Sequence, residues 1–402
     1  MISTQQELLV PRGFQFAAVK AGIKASGRPD LALIEAPMGA SAAAVFTRNR
    51  VVAAPVQVGR AHLAETQGRV RAVLVNAGNA NCATGKPGLN AAQAVCAELG
   101  RLVEAAPQFI VPSSTGIIGV PLPTEKIVTA LPSLLAARSE GEAALKAFSE
   151  AILTTDMRPK TASRVLKIGR KEVRVAGVAK GSGMIHPNMA TMLAYILTDA
   201  DATPRELTAM LRTSTDTTFN SISVDGDTST NDTVLLLASG MSGCRLRDSG
   251  VRKKFALALQ EVCASLAEQV VRDGEGAKHL VRLHVEQART FAEARQIARA
   301  VANSALVKTA WAGCDPNWGR ILSAAGTSGV ELDPAKVSIY FGDQLVCRRG
   351  MAVEFDKRAA HEYLSQPEYD IRISLGRGRA KVEFLTCDLT AEYVHINADY
   401  ST

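Results

Sequence analysis

The sequence has few aromatic residues and no long apolar stretch. Aromatic side chains make up 5% of its 402 residues, although hydrophobic residues make up 47%. No apolar run approaches the roughly 18 residues that a membrane-spanning helix needs. The first residues, MISTQQELLVPRGFQF, also lack the basic and apolar segments of a secretion signal. We therefore expect a soluble, cytoplasmic protein with a largely aliphatic core and no membrane partner.

Patterns typical of disulfide frameworks and metal sites are missing as well. The seven cysteines are far apart, odd in number and form no Cys-x-x-Cys pair. The six histidines form no His-Glu-x-x-His motif and no cluster with the cysteines. Isolated cysteines are typical of a reducing compartment. The sequence thus predicts neither disulfides nor a metal site.

Positive charge is present only in small excess. The formal net charge is +7, and the basic residues are scattered along the chain. Nucleic-acid binding usually requires a basic stripe with stacking aromatic residues, so we expect no nucleic-acid partner. The mild excess indicates a slight preference for anionic small molecules.

Predicted strands and helices alternate without a regular strand–helix–strand rhythm. Apolar periodicity predicts helices over residues 139–153, 251–272 and 291–311, whereas APVQVG (54–59) and AEYVHINADY (391–400) have strand character. Grouped strands and helices favour an α+β fold with layers over a doubly wound sheet. We found no internal repeat and no obvious linker.

The segment KGSGMIHPNMATML, residues 180–193, joins a glycine-containing loop to an apolar run at Thr191. Threonine is common at the start of a strand, so a structural role is one interpretation. The other is chemical. If the bond before Thr191 were cut, the new α-amine, with a pKa of about 7.7–8.0, could serve as a base for the hydroxyl. The small Ala190 and the flexible loop fit such a cut.

Two further polar segments and one lysine are candidate sites. In VPSSTGIIGV, the hydroxyl of Thr115 and the backbone at Gly116 could hold an oxyanion, or they could form a plain turn. SVDGDTSTNDT, residues 223–233, is rich in oxygen ligands but lacks the glycine and glutamate positions of an EF-hand. We interpret it as a hydrogen-bonded loop. Lys180 is either a solvated lysine or, beside a nucleophilic Thr191, a contact for a substrate carboxylate.

Taken together, these segments resemble one known family. KGSGMIHPNMATMLAYILTDA, VFTRNRVVAAPV, VNAGNAN, STGIIG, SVDGDTSTNDT, RDGEGA and GCDPNWGR occur in an order similar to that of the ornithine acetyltransferases, the glutamate N-acetyltransferases of arginine biosynthesis. The resemblance extends over nearly the whole chain, from about Gly13 to Thr402. It implies a layered α/β sandwich similar to that of N-terminal-nucleophile hydrolases.

The resemblance also implies self-cleavage between Ala190 and Thr191. Residues 1–190 would become an α chain and residues 191–402 a β chain, the two forming one intertwined catalytic unit in an α2β2 heterotetramer. Thr191 would then be the nucleophile, and Thr115 and Gly116 would form the oxyanion hole. The positions that match the family's substrate contacts are Thr154, Lys180, Thr191, Glu275, Asn397 and Thr402.

The implied reaction transfers an acetyl group from N2-acetylornithine to glutamate through acetyl-Thr191, with no bound cofactor. The sequence leaves open whether acetyl-CoA is a second acetyl donor. Met157, Lys278 and His279 depart from the family's usual TTDT and GEGATK segments, beside predicted contacts, so the donor range is open too.

Two other functions stay open. One is an N-terminal-nucleophile amidase or aminopeptidase that releases the acyl group to water. The other is an uncleaved, non-catalytic binding protein.

We predict that the purified protein runs as two bands on a denaturing gel, each about half of 42.6 kDa. The reason is that Thr191 is both the scissile residue and the nucleophile of the cut. The Thr191→Ala variant, which lacks the hydroxyl, should run as one full-length band. A single full-length band in freshly purified wild type would contradict self-cleavage.

Overall fold

The computed structural model describes residues 8–186, 192–246 and 248–399. Their strands are β1 (Gln15–Val19), β2 (Leu31–Phe46), β3 (Arg69–Asn79), β4 (Ile110–Ile117), β5 (Lys160–Ile168), β6 (Lys171–Lys180), β7 (Leu193–Thr198), β8 (Ile222–Ser223), β9 (Thr233–Ala238), β10 (Leu280–Ala288), β11 (Ser338–Phe341), β12 (Gln344–Arg348), β13 (Met351–Ala352), β14 (Glu368–Ser374) and β15 (Ala380–Cys387). Their helices are α1 (Ala54–Glu65), α2 (Gly85–Leu102), α3 (Thr124–Ala136), α4 (Glu142–Ala151), α5 (Pro204–Thr217), α6 (Ser249–Arg272), α7 (Phe291–Ala302), α8 (Ala305–Ala312), α9 (Trp318–Gly326), α10 (Lys357–Leu364) and α11 (Ala391–Asp399).

The first sheet has the strand order β4-β3-β2-β9-β7-β6-β5, and β1 pairs with the N-terminal half of β2. Strands β7 and β9 are parallel neighbours in the middle of this sheet, and all their residues are buried. Ile196 and Leu236 face a core shared with α5 and α6, whereas Tyr195 and Leu235 face a core shared with α4. Because both faces are covered, these strands are continuous apolar runs and not alternating ones.

Helix α6 connects the two sheets. It packs on β5 and β6 so closely that a Cβ added to Gly177 would lie 2.8 Å from the Cδ1 of Leu266. The same core includes Ile222 and Leu385 of the second sheet. The helix begins where the carboxylate of Asp248 accepts backbone N–H groups, and it ends at Asp273. Its last turn is therefore held in a fixed place between the sheets.

The second sheet has the order β13-β12-β11-β14-β10-β15-β8. One face packs on α7 and α9 through residues such as Val285 and Ile371. The opposite face carries Arg282, which forms an ion pair with Glu368, and His284, whose ring Nε2 lies 2.6 Å from Asp370 Oδ1. The alternation of apolar and polar residues along β10 and β14 follows from this one-sided burial.

The predicted α+β layered fold is confirmed, and three of the predicted elements are wrong. APVQVG is part of helix α1, with Pro55 in its first turn, where a missing N–H costs little. Residues 391–399 form helix α11 and not a strand. Residues 291–311 are two helices, because the Ser304 side chain accepts the Val307 N–H and starts α8. None of the described helices combines the length and apolar composition of a membrane span.

We predict that Phe148→Ala lowers the free energy of unfolding by about 3–5 kcal/mol, as removal of a buried aromatic ring does. Phe148 is fully buried, and its ring centroid lies 5.4 Å from that of Tyr195 and 6.4 Å from that of Phe16. The control Phe109→Ala, at a position 37% exposed, should cost less than about 1 kcal/mol. Urea denaturation compares the two, and equal losses would contradict the packing described.

Candidate active site

A cavity of about 220 Å³ lies where the ends of β4 and β6, the start of β7 and the end of α6 meet. This volume is below the roughly 300–1,000 Å³ of drug-sized sites, so it suits a small polar molecule. Its described lining residues are Ala80, Thr115, Gly116, Ile118, Thr154, Thr155, Lys180, Gly181, Gly183, Met184, Met192, Leu193, Asp225, Asp227, Ser229, Thr230, Asn231, Asp232, Glu275, Tyr393 and Asn397.

The cavity brings together six of the residues predicted from the sequence, namely Thr115, Gly116, Thr154, Lys180, Glu275 and Asn397. Ala190, Thr191 and Thr402 lie outside the described residues. Met192, which follows Thr191 by one peptide bond, lines the cavity. The chain next to the predicted nucleophile therefore contributes to the same site.

Thr115 and Gly116 lie at the end of β4, where it pairs with β3. Gly116 has a φ of +130° and lies opposite Gly78. A Cβ at Gly116 would be 2.3 Å from the Gly78 carbonyl carbon, so only glycine fits without displacement. The buried amide of Asn231 donates to the carbonyl oxygens of Ser114 (2.9 Å) and Ala80 (2.6 Å). These bonds hold the strand end that presents the Thr115 hydroxyl.

Lys180 is the last residue of β6, and its side chain is 12% exposed. Its Nζ donates to Thr154 Oγ1 at 2.9 Å and to Thr115 Oγ1 at 3.2 Å. Burial lowers the pKa of Lys180 below its ordinary value, and the Asp156 carboxylate, 3.9 Å away, opposes that change. The ammonium thus links two hydroxyls that belong to different segments of the chain.

A buried ion-pair network lies directly behind Lys180. The ammonium of Lys160 lies 2.6 Å from one oxygen of Asp156 and 2.6 Å from one oxygen of Asp273. Asp156 also accepts the backbone N–H of Gly181 at 2.6 Å and that of Thr154 at 3.1 Å. Burial opposes ionisation of Asp156, but the ammonium groups of Lys180 and Lys160 outweigh it, so its pKa falls to about 2. We did not predict these residues as part of the site.

Glu275 follows the C-terminal end of α6 and faces the cavity. Its Oε2 accepts the side-chain N–H of Asn397 at 2.8 Å, and its backbone N–H donates to the Ser182 carbonyl at 3.0 Å. A Cβ at Gly183 would lie 2.4 Å from the Glu275 carboxylate, so glycine leaves the space that this side chain fills. Helix α11 brings Asn397 here because Tyr393 packs closely against the backbone of Gly276.

The loop between β8 and β9 supplies acidic groups to the cavity. Asp225 accepts the backbone N–H groups of Met184 (2.5 Å) and Ile185 (2.8 Å), and burial raises its pKa. Asp232 is 1% exposed, and its Oδ2 has no hydrogen-bond partner among the described residues. Burial raises the pKa of Asp232 well above its usual range. The loop lines the cavity and connects two strands, whereas the calcium loop of an EF-hand connects two helices.

The three departures from the family pattern do not line the cavity. The side chain of Met157 is exposed, and its backbone N–H donates to Asp273 at 3.0 Å. The backbone N–H groups of Lys278 and His279 donate to Asp388, and the His279 ring lies 3.0 Å from the same carboxylate. Within the described residues, no group of three or more His, Cys, Asp or Glu is placed to hold a metal ion.

The layered fold and this polar cavity, which is built from distant segments, are typical of an enzyme that acts on a small molecule. The model of the ArgJ family matches residues 15–402, and the chain belongs to this family. The arginine biosynthesis bifunctional protein ArgJ of Methylococcus capsulatus is 45% identical, covering 97% of this chain and 95% of the relative. The protein of the same name from Geobacter sulfurreducens is 44% identical, covering 97% and 99%. The predicted family and the prediction of an enzyme are confirmed.

Solved structures give a further comparison. A chain of the arginine biosynthesis bifunctional protein ArgJ from Bacillus halodurans is 39% identical, with a TM-score of 0.50. The match covers 51% of this chain but 98% of that one. That solved chain is therefore about half as long as the chain described here.

We predict that Gly116→Ala lowers the free energy of unfolding by about 2–5 kcal/mol. The new Cβ would clash with the β3 backbone, and the left-handed φ adds strain. Gly119→Ala is the matched control, because Gly119 also has a positive φ (+82°) but has nothing within 4 Å of the added Cβ. We expect it to cost about 1–2 kcal/mol, from strain alone. Similar losses in thermal denaturation of the two variants would refute the close approach of β3 and β4.

Proposed function

We propose that this protein transfers the acetyl group of N2-acetylornithine to glutamate, as an acyltransferase of arginine biosynthesis. The observation that carries the proposal is the convergence of six predicted site residues on one cavity beside the residue that follows Thr191. The names of the curated relatives, which place them in arginine biosynthesis, support the pathway.

The proposed reaction has two acyl-transfer steps. The Thr191 hydroxyl oxygen attacks the acetyl carbonyl, its proton passes to the α-amine of Thr191, and ornithine leaves with that proton as the amide bond breaks. The amine of glutamate then attacks the acetyl-threonine ester and gives a proton to the α-amine of Thr191, which passes it to the Thr191 oxygen as the ester bond breaks. The transfer needs no bound cofactor, because Thr191 itself carries the acetyl group.

Thr115 and Gly116 are the proposed oxyanion donors for both steps. The Thr115 hydroxyl and the Gly116 backbone N–H belong to the end of β4, which the Asn231 side chain holds through the Ser114 carbonyl oxygen. Donors fixed before the reaction stabilise the tetrahedral intermediate without a cost of reorganisation. The close pairing of Gly116 with Gly78 supports such a fixed position.

The acidic lining supports amine-bearing substrates. Asp225, Asp227, Asp232 and Glu275 line the cavity, whereas Lys180 is the one ammonium or guanidinium group among its described lining residues. Ornithine and glutamate both carry an amino group, which carboxylates can bind or deprotonate. Glu275 and Asn397, which are hydrogen-bonded to each other, are proposed contacts for these substrates.

Two chains, residues 1–190 and 191–402, are the proposed active form. The half-length chain of the Bacillus halodurans structure supports such a division. Strands β7 and β9, from the second part, lie between β2 and β6, from the first, so a cut would leave the two parts in one sheet. The α2β2 assembly and the cytoplasmic location stay predictions. We also propose that acetyl-CoA is a second acetyl donor, because the relatives' names describe them as bifunctional.

We predict that label from N2-[14C-acetyl]ornithine passes to N-acetylglutamate when glutamate is present and is not released as acetate when glutamate is absent. The acetyl-threonine ester persists until an amine that the cavity accepts attacks it, so release of the acetyl group from Thr191 should depend on glutamate. Thin-layer chromatography of the products gives the measurement, with Thr191→Ala as the inactive control. Release of labelled acetate at a rate unaffected by glutamate would instead support an amidase.

A further inference from the structure

We propose that Lys180 is a positioning residue that acts through Thr115, by directing and polarising the Thr115 hydroxyl as an oxyanion donor. This inference rests on the proposed function, because it concerns the same acyl transfer. It gives Lys180 a role other than the contact with a substrate carboxylate that the sequence predicted.

The direction of the hydrogen bonds carries the inference. An ammonium can only donate, so Thr115 Oγ1 and Thr154 Oγ1 must both accept from Lys180 Nζ. The single proton of the Thr115 hydroxyl is then left to donate elsewhere, and the structure gives it no acceptor among the described residues. Because Thr115 lines the cavity, that proton is available to an oxyanion formed there.

The positive charge of Lys180 is held in place by the network behind it. Asp156 lies 3.9 Å from Nζ, and Lys160 and the Gly181 N–H fix its carboxylate. Lys160 in turn binds Asp273 at the end of α6. A chain of buried charges therefore extends from α6 to the hydroxyl of Thr115.

The other charged groups around Lys180 come from several elements. Asp232 before β9 and Glu275 after α6 favour its ammonium form, as Asp156 does, whereas Lys160 disfavours it. Lys24, in the loop after β1, also interacts with Lys180 through like charge. Asp156 leads the carboxylates that counter the effect of burial, so its charge is the one to remove in a test.

The two roles for Lys180 differ in whether they need a substrate carboxylate. We would compare N2-acetylornithine with N-acetylputrescine, which has the same acetamide but no carboxylate, as donors to the cleaved protein. Mass spectrometry of the C-terminal chain would follow acetylation of Thr191 in a single turnover. In Lys180→Met, we expect the acetylation rate at saturating donor to fall about 100-fold for both donors, as loss of an oxyanion donor does.

Other outcomes of this comparison overturn the inference. A rise in KM for N2-acetylornithine with no change for N-acetylputrescine would make Lys180 a carboxylate contact, and unchanged rates would give it no role. The control Lys146→Met removes a half-exposed lysine that pairs with Glu142 on α4, and we expect no effect. If wild type failed to transfer acetyl to glutamate, the proposed function would fall, whereas an active wild type with a KM effect alone would refute only this inference.

Asp156→Asn tests the inference independently, should Lys180→Met remain uncut. Without the carboxylate, burial should lower the pKa of Lys180 further, so its ammonium would be lost at a lower pH. We expect the alkaline limb of the kcat–pH profile to move about 1–3 pH units toward acid, with little change in KM. An unmoved alkaline limb, or a change confined to KM, would overturn the inference.

Discussion

The site depends on the buried ammonium of Lys160 and its two carboxylate partners. Asp156 is 4 residues and Asp273 is 113 residues from Lys160 in the sequence. Each places a carboxylate oxygen 2.6 Å from the Lys160 Nζ. With Lys180 nearby, two carboxylates face two ammonium groups, so the buried cluster is neutral as a whole. Removing one member of such a cluster leaves an uncompensated charge and typically costs about 3–5 kcal/mol. The network therefore fixes the loop before β5, the end of β6 and the end of α6 relative to one another.

The same three segments carry the groups that face the cavity. Thr154 belongs to the loop before β5, Lys180 to the end of β6, and Glu275 to the turn after α6. Each segment lies at or beside the end of a strand or helix, where some backbone groups lack a partner within that element. The ion pairs and the Asp156 contacts to backbone N–H groups satisfy these termini and hold the side chains in register. Positioning at the site and stability of the fold thus share one set of interactions.

Strand β7 connects this ion-pair network to the chain segment that carries the proposed nucleophile, Thr191. It is buried on both faces between β6 and β9, so the backbone of Leu193 and the following residues cannot move without disrupting the first sheet. The carbonyl oxygen of Met192, the residue before it, accepts the N–H of Thr233, next to Asp232. A reactive group attached to such a strand has a fixed point of attachment, which is what nucleophilic catalysis requires.

The sequence by itself determined the family, the layered α+β class and six residues that line the cavity. These followed from several motifs whose residues and order along the chain are typical of one family. The sequence also located β7, a continuous apolar run, and α6, whose apolar residues recur at helical spacing. It failed for APVQVG and AEYVHINADY, which are short segments whose packing, not local pattern, selects the helix. Only the tertiary structure decided that Lys160 and Asp273 form the ion-pair network behind the site and that Lys180 donates to Thr115. Such pairs join residues far apart in the chain, and a single sequence contains no signal of which distant charges meet.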